Sequence, residues 1–184
     1  MNEIMWAFGR ASGIVSLVLF TLVLLLGVVS RSGRPLPGLP RFSVALLHRS
    51  TSLLALVFLV LHVGTLMLDS HAKLSLPDAV VPFVSGWNPF WVGLGTVAFD
   101  LVIALVVTGI ARQRIGQRAF RVIHWAAYAM WPFAFAHALG SGTNAADLWF
   151  QVLAWTCAGA VLCSVGWRLS ARFVETSRAR LGQA

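Results

Sequence analysis

Five apolar runs, each about as long as a bilayer is thick, constrain this chain more than any other feature. A hydrocarbon core takes about 20 mostly apolar residues per helix, and the runs fall at about 5–29, 42–68, 90–111, 120–139 and 146–169. Composition leaves little else: of 184 residues, 58% are hydrophobic and 11% charged, where a soluble domain carries about 25% charged residues. So little polar surface cannot cover a globule against water, which excludes a soluble enzyme, a disordered chain and a disulfide-rich secreted module. The expectation is an all-α integral membrane bundle of five transmembrane helices, forming one domain over residues 1–184.

The segments between the runs carry turn chemistry and an uneven charge. Residues 30–41 hold three prolines and two glycines, and the longest connection, about 69–89, contains a semi-apolar piece at 79–84 that is too short to span. The first run has no basic leader and no small-residue cleavage site after it, so it is expected to stay as a helix rather than act as a removable signal. A net charge of +8 could suggest a nucleic-acid partner. Thirteen of the fourteen basic residues are Arg, however, and most sit in short segments between apolar runs. Arg31, Arg34 and Arg41 lie in the first connection, Arg112, Arg114, Arg118 and Arg121 in the third, and Arg168, Arg172, Arg178 and Arg180 in the tail. The second connection has Lys73 with Asp69 and Asp78, and the fourth has no cation. Arginine-rich short loops face the cytoplasm, so the N-terminus is expected outside and the C-terminus in the cytoplasm, with no nucleic-acid role. Cys157 and Cys163 show no metal or haem-attachment spacing and read as small buried apolar residues.

Four histidines fall inside the runs, His48 and His62 in the second, His124 and His137 in the fourth. These two runs are expected to be parallel, being separated by one crossing. His48 and His124 then share one level near the cytoplasmic face. Fourteen and thirteen residues later, about 20 Å along a helix at 1.5 Å per residue, His62 and His137 share a level near the outer face. Polar groups inside a bilayer are rare and functional by default. Two imidazoles facing each other from neighbouring helices can supply both axial ligands of a haem iron, and the alternative is four hydrogen-bonded core histidines. Four ligands split between levels so far apart cannot share one zinc ion. Thirteen residues leave His137 more than a third of a turn out of phase with His124, and Pro132 between them could kink the helix or the haem planes could tilt.

His48-Arg49-Ser50-Thr51 opening a span, His62 fourteen residues on, then His124-Trp125 and His137 thirteen on resemble the ferric reductase-type transmembrane domain. That domain is shared by ferric reductases, NADPH oxidases and the haem subunit of the methionine sulfoxide reductase system. The likeness covers about residues 42–169, and the stretch Ser32-Gly33-Arg34-Pro35-Leu36-Pro37-Gly38 looks like stand-alone actinobacterial forms. It implies a multi-pass protein of a bacterial cytoplasmic membrane with two b-type haems. By position, His48 and His124 would hold the inner haem iron, and His62 and His137 the outer one. Fifteen residues follow Leu169 without a glycine-rich dinucleotide fingerprint. Flavin or quinone is thus expected only through partners: a separate donor, flavoprotein or quinol, and an outer-face acceptor, flavoprotein, ferric iron or a reductase. A quinol-linked cytochrome b and a haem-free anchoring subunit of a membrane complex are the two alternatives.

Arg49 and Arg10 are candidates to bind haem propionates by charge-assisted hydrogen bonds, or else snorkel to the interface. Asp100 lies midway along the third run and is read as hydrogen-bonded to a neighbouring helix, with proton relay as the alternative. Trp131 and Tyr128 lie between the two histidine levels, and are read as packing. Trp87, Trp91, Trp149 and Trp167 are read as interface anchors. Gly9, Gly13, Gly64 and Gly109 would admit a macrocycle or a neighbouring helix, and His71 is read as a solvated loop residue.

Overall fold

A computed structural model describes residues 2–32, 41–69, 74–171, 173 and 175. The proline-rich connection at 33–40, His71, Lys73, Arg172, Arg178 and Arg180 lie outside the described residues. Within them the chain forms six helices: α1 (Asn2–Arg31), α2 (Arg41–Leu68), α3 (Leu76–Val80), α4 (Pro89–His124), α5 (Ala126–Ser141) and α6 (Leu148–Leu169). Four segments are long and apolar enough to cross a membrane, namely Glu3–Arg31, Phe42–Leu68, Pro89–His124 and Leu148–Leu169. Large apolar side chains face outward along them, as on α2 at Leu46, Leu53, Val57 and Leu61, which is how a multi-pass membrane protein meets lipid.

The third and fourth runs depart from the sequence expectation. The connection at 112–119 was expected as a loop, and it is helical apart from Gly116, whose φ of 80° and ψ of 159° interrupt α4. Arg112, Gln113, Arg114, Gln117, Arg118 and Ala119 are good helix formers, and polarity without proline or repeated glycine does not unwind a helix. The run at 120–139 was expected as one helix, and it divides at Trp125 into the end of α4 and the 16-residue α5. Trp125 keeps helical dihedrals, φ −63° and ψ −22°, and its carbonyl accepts from the Tyr128 N–H at 3.0 Å. That i→i+3 bond is a tight 3₁₀-like turn, winding about 20° further per residue than an α-helix. Extra winding carries thirteen residues toward four full turns, so the phase shift between His124 and His137 is reduced at Trp125.

α1 sits at the centre, packing against α2, α5 and α6, while α4 and α5 pair with each other. Its buried stripe of Leu17, Phe20, Leu24 and Val28 shares one core with Ala98 and Val102 of α4, Met130 and Trp131 of α5, and Cys157, Ala158 and Val161 of α6. Because lipid tails are as apolar as leucine, apolar burial does not drive helices together, and small and polar groups hold the bundle: Trp131 Nε1 donates to Thr21 Oγ1 at 2.9 Å. Short α3 docks on α4 where the Thr96 hydroxyl donates to the Asp78 carbonyl at 2.7 Å. Cys157 is buried as expected, whereas Cys163 is exposed, six residues on and about a third of a turn away around α6.

Candidate functional site

α1 and α2 run side by side, and each histidine of α2 meets α1 in the same way. His48 Nδ1 lies 3.0 Å from the Val23 carbonyl, and His62 Nδ1 lies 2.7 Å from the Gly9 carbonyl. A carbonyl can only accept, so each Nδ1 carries the proton and each Nε2 keeps its lone pair. Four residues after each carbonyl comes a glycine. A Cβ at Gly27 would stand 3.3 Å from His48 Cε1, and one at Gly13 only 2.8 Å from His62 Nδ1. In a helix the Cβ of residue i+4 tilts back over the carbonyl of residue i, which is where the imidazole enters.

The α4–α5 pair repeats this arrangement once. His137 Nδ1 lies 2.8 Å from the Trp91 carbonyl, and a Cβ at Gly95 would come within 2.6 Å of the same nitrogen. His124 breaks the pattern: its Nδ1 is buried without a hydrogen-bond partner among the described residues, and its ring stacks on Phe120 at 5.0 Å. Gly109, fourteen residues after Gly95, holds the equivalent place on α4, yet nothing comes within 4 Å of its Cβ position.

Across the bundle the four rings form two pairs. His48 and His124 have ring centroids 6.4 Å apart, His62 and His137 have them 6.3 Å apart, and both pairs cross at 74°. With metal–nitrogen bonds of about 2.0–2.1 Å and about 1.1 Å from ring centre to ring nitrogen, two imidazoles in line on one metal put their centroids about 6.3 Å apart. Among the described residues no three His, Cys, Asp or Glu side chains gather into a metal group. Each pair offers two nitrogens, the number an iron needs when a macrocycle supplies four. The bond from Nδ1–H to a backbone carbonyl is also the usual support of a metal-ligating histidine. The residues present therefore fit two bis-histidine haems.

Other candidates are placed as follows. Arg10 donates through Nε to Asn144 Oδ1 at 3.1 Å, lies over the Trp6 ring at 4.1 Å, and so ties α1 to the α5–α6 connection. Arg49 is exposed beside His48. Asp100 is partly exposed, and among the described residues the expected hydrogen bond from a neighbouring helix is absent. Tyr128 is partly buried, and Trp131 is buried and stacked on Phe135 at 5.1 Å. Trp87, Trp91 and Trp149 are exposed and Trp167 partly so. Gly9 faces Leu66 of α2 closely, as expected, while Gly64 has open space around it. Sequence reasoning passed over Gly27, Gly95 and Arg168. The fourteen-residue interval from Gly13 to Gly27, equal to that from His48 to His62, was the available signal for the first of these.

Residues 12–139 match the family model described as ferric reductase like transmembrane component, so the chain belongs to that family. The match takes in most of α1, which the resemblance drawn from the histidines had not included, and stops at α5. No curated protein and no solved structure matches the chain.

Proposed function

We propose that this protein carries electrons across a bacterial cytoplasmic membrane through two b-type haems, between a separate donor and a separate acceptor. The observation that carries the reading is the pair of matched histidine crossings, 6.4 and 6.3 Å between centroids at one angle of 74°. They are separated by about 20 Å along the helices. His48 and His124 hold the inner haem, His62 and His137 the outer one. Haem with both axial positions filled supplies one-electron carriage without an open site for oxygen. The chain's own part is to hold and orient the rings. Carbonyls of Val23, Gly9 and Trp91 fix three imidazoles in one tautomer, and the glycines let them approach. Arg49, exposed beside His48, is assigned to an inner propionate. Arg10, whose Nε and Nη2 are engaged by Asn144, keeps the Nη1 donors for an outer one.

The segment 117–141, nearly continuous through Trp125, makes the fifth crossing in this reading, with the N-terminus outside and the C-terminus in the cytoplasm. A donor (flavoprotein or quinol) and an outer-face acceptor (flavoprotein, ferric iron or a reductase) complete the path. The test is haem stoichiometry on detergent-purified protein, from total iron and the reduced-minus-oxidised spectrum. Two low-spin b haems per chain are expected. A colourless protein, after expression with ample haem, would overturn the proposal in favour of an anchoring subunit.

A further inference from the structure

A groove between α5 and α6 opens beside Trp125, the residue after His124. Its volume is about 290 Å³. Trp125, just before α5, lines it with Tyr128 and Pro132 of α5, and Leu162, Val165 and Arg168 line it from α6. Arg168 is out of place in such apolar company. Its side chain is 10% exposed, its guanidinium carbon lies 4.9 Å from the Trp125 ring centre and 5.2 Å from that of Phe173, and its Nε and Nη1 are buried without an acceptor among the described residues. Buried donors are almost always satisfied, and a charged donor without a partner is costly.

The surroundings say what kind of acceptor fits. Glu175 Oε1 lies 3.7 Å from Arg168 Nη2, so the charge is already countered, and the unpartnered N–H groups call for a neutral oxygen rather than a second anion. Aromatic walls suit a flat ring. Leu162 and Leu169, 72% and 71% exposed, leave the mouth open on the side that faces acyl chains, where an apolar tail would run. A planar ring bearing neutral oxygens and an apolar tail is a quinone. We propose that this groove binds the ring of a membrane quinone, with a ring oxygen accepting from Arg168, at the His48–His124 level. As a binding site the groove stands by itself, and as the place of a redox partner it rests on the electron-transfer reading above.

The experiment uses the full chain, purified in detergent, and an azido-substituted short-chain naphthoquinone as photolabel, mapped by peptide mass spectrometry. Label is expected on peptides covering 125–132 and 162–169, competed by decylubiquinone and not by phosphatidylglycerol. Arg168→Met removes the donors and Leu162→Trp fills the groove without touching them. Each is expected to cut labelling about tenfold or more, with Leu162→Trp keeping the haem spectrum and melting temperature of the parent protein. Labelling elsewhere, labelling retained in both variants, or competition by phosphatidylglycerol alone overturns the site. Haem loss in Arg168→Met with labelling intact also overturns it, by assigning the arginine to a propionate. Quinone labelling of a protein without haem would overturn the electron-transfer reading and leave the site standing, and haem without labelling would do the reverse.

Discussion

Three of the four membrane histidines meet the same two neighbours, a helix carbonyl at one position and a glycine four residues on. The glycine matters because an L side chain there would occupy the space of the ring, and the three clearances grade the effect: 2.6 Å at Gly95, 2.8 Å at Gly13 and 3.3 Å at Gly27. Gly95→Ala and Gly13→Ala are expected to displace His137 and His62, so that purified protein loses the outer haem and keeps the inner one. Gly27→Ala is expected to leave both haems bound. Equal haem content in all three variants would remove the glycines from the site. His62→Ala and His137→Ala should likewise each halve the haem content, and loss of the inner haem alone would reverse the assignment of levels. The histidines themselves were legible, because their spacing counts turns of a helix. Gly27 and Gly95 were not, since a glycine in an apolar run serves any close approach, and Gly64 and Gly109, singled out with equal reason, have nothing beside them.

At the scale of the element, the boundaries within 112–126 were misread because turn chemistry there resides in single residues. Gly116 occupies a region of backbone space that is essentially glycine's own, and it lets α4 stop and restart. Gly116→Ala should therefore destabilise the protein by about 1–3 kcal/mol, read as a lower melting temperature in detergent with the histidines untouched. α3, outside the membrane-spanning helices, carries the one pH-dependent joint we assign. The Ser75 N–H and hydroxyl both donate to Asp78 Oδ2, at 2.9 and 2.7 Å, and these bonds hold the carboxyl below its ordinary value. A carboxylate stabilised by folding contributes above its unfolded value of about 3.9 and ceases to contribute as pH falls through the lower folded one. Amide exchange in Leu76–Val80 should thus be slower in the parent than in Asp78→Asn at pH 6. The difference should shrink as pH falls below about 3.9 and vanish once Asp78 is protonated in the folded protein. A difference unchanged by acidification would assign the protection to packing alone.

For the whole molecule, the number of crossings decides which faces the two histidine levels serve. Five crossings put the termini on opposite sides, whereas four, with α5 failing to cross, put them on the same side. With both native cysteines replaced, a cysteine at Ser85 should react with a membrane-impermeant thiol reagent in intact cells, and one at Ser170 only after the membrane is opened. Reaction at both would count four crossings and leave the histidine pairs without a transmembrane path. The sequence by itself determined the helical membrane class, which histidines pair and the family, because lipid permits few backbone solutions and helical periodicity converts spacing into height. Tertiary structure alone decided which carbonyl holds each imidazole, which glycine makes room for it, and that Arg168 comes to stand among aromatic rings. The bonds that fix His48, His137 and His62 join residues 25, 46 and 53 apart. Which helix faces which, and at what register, is set by packing between segments that no linear spacing encodes.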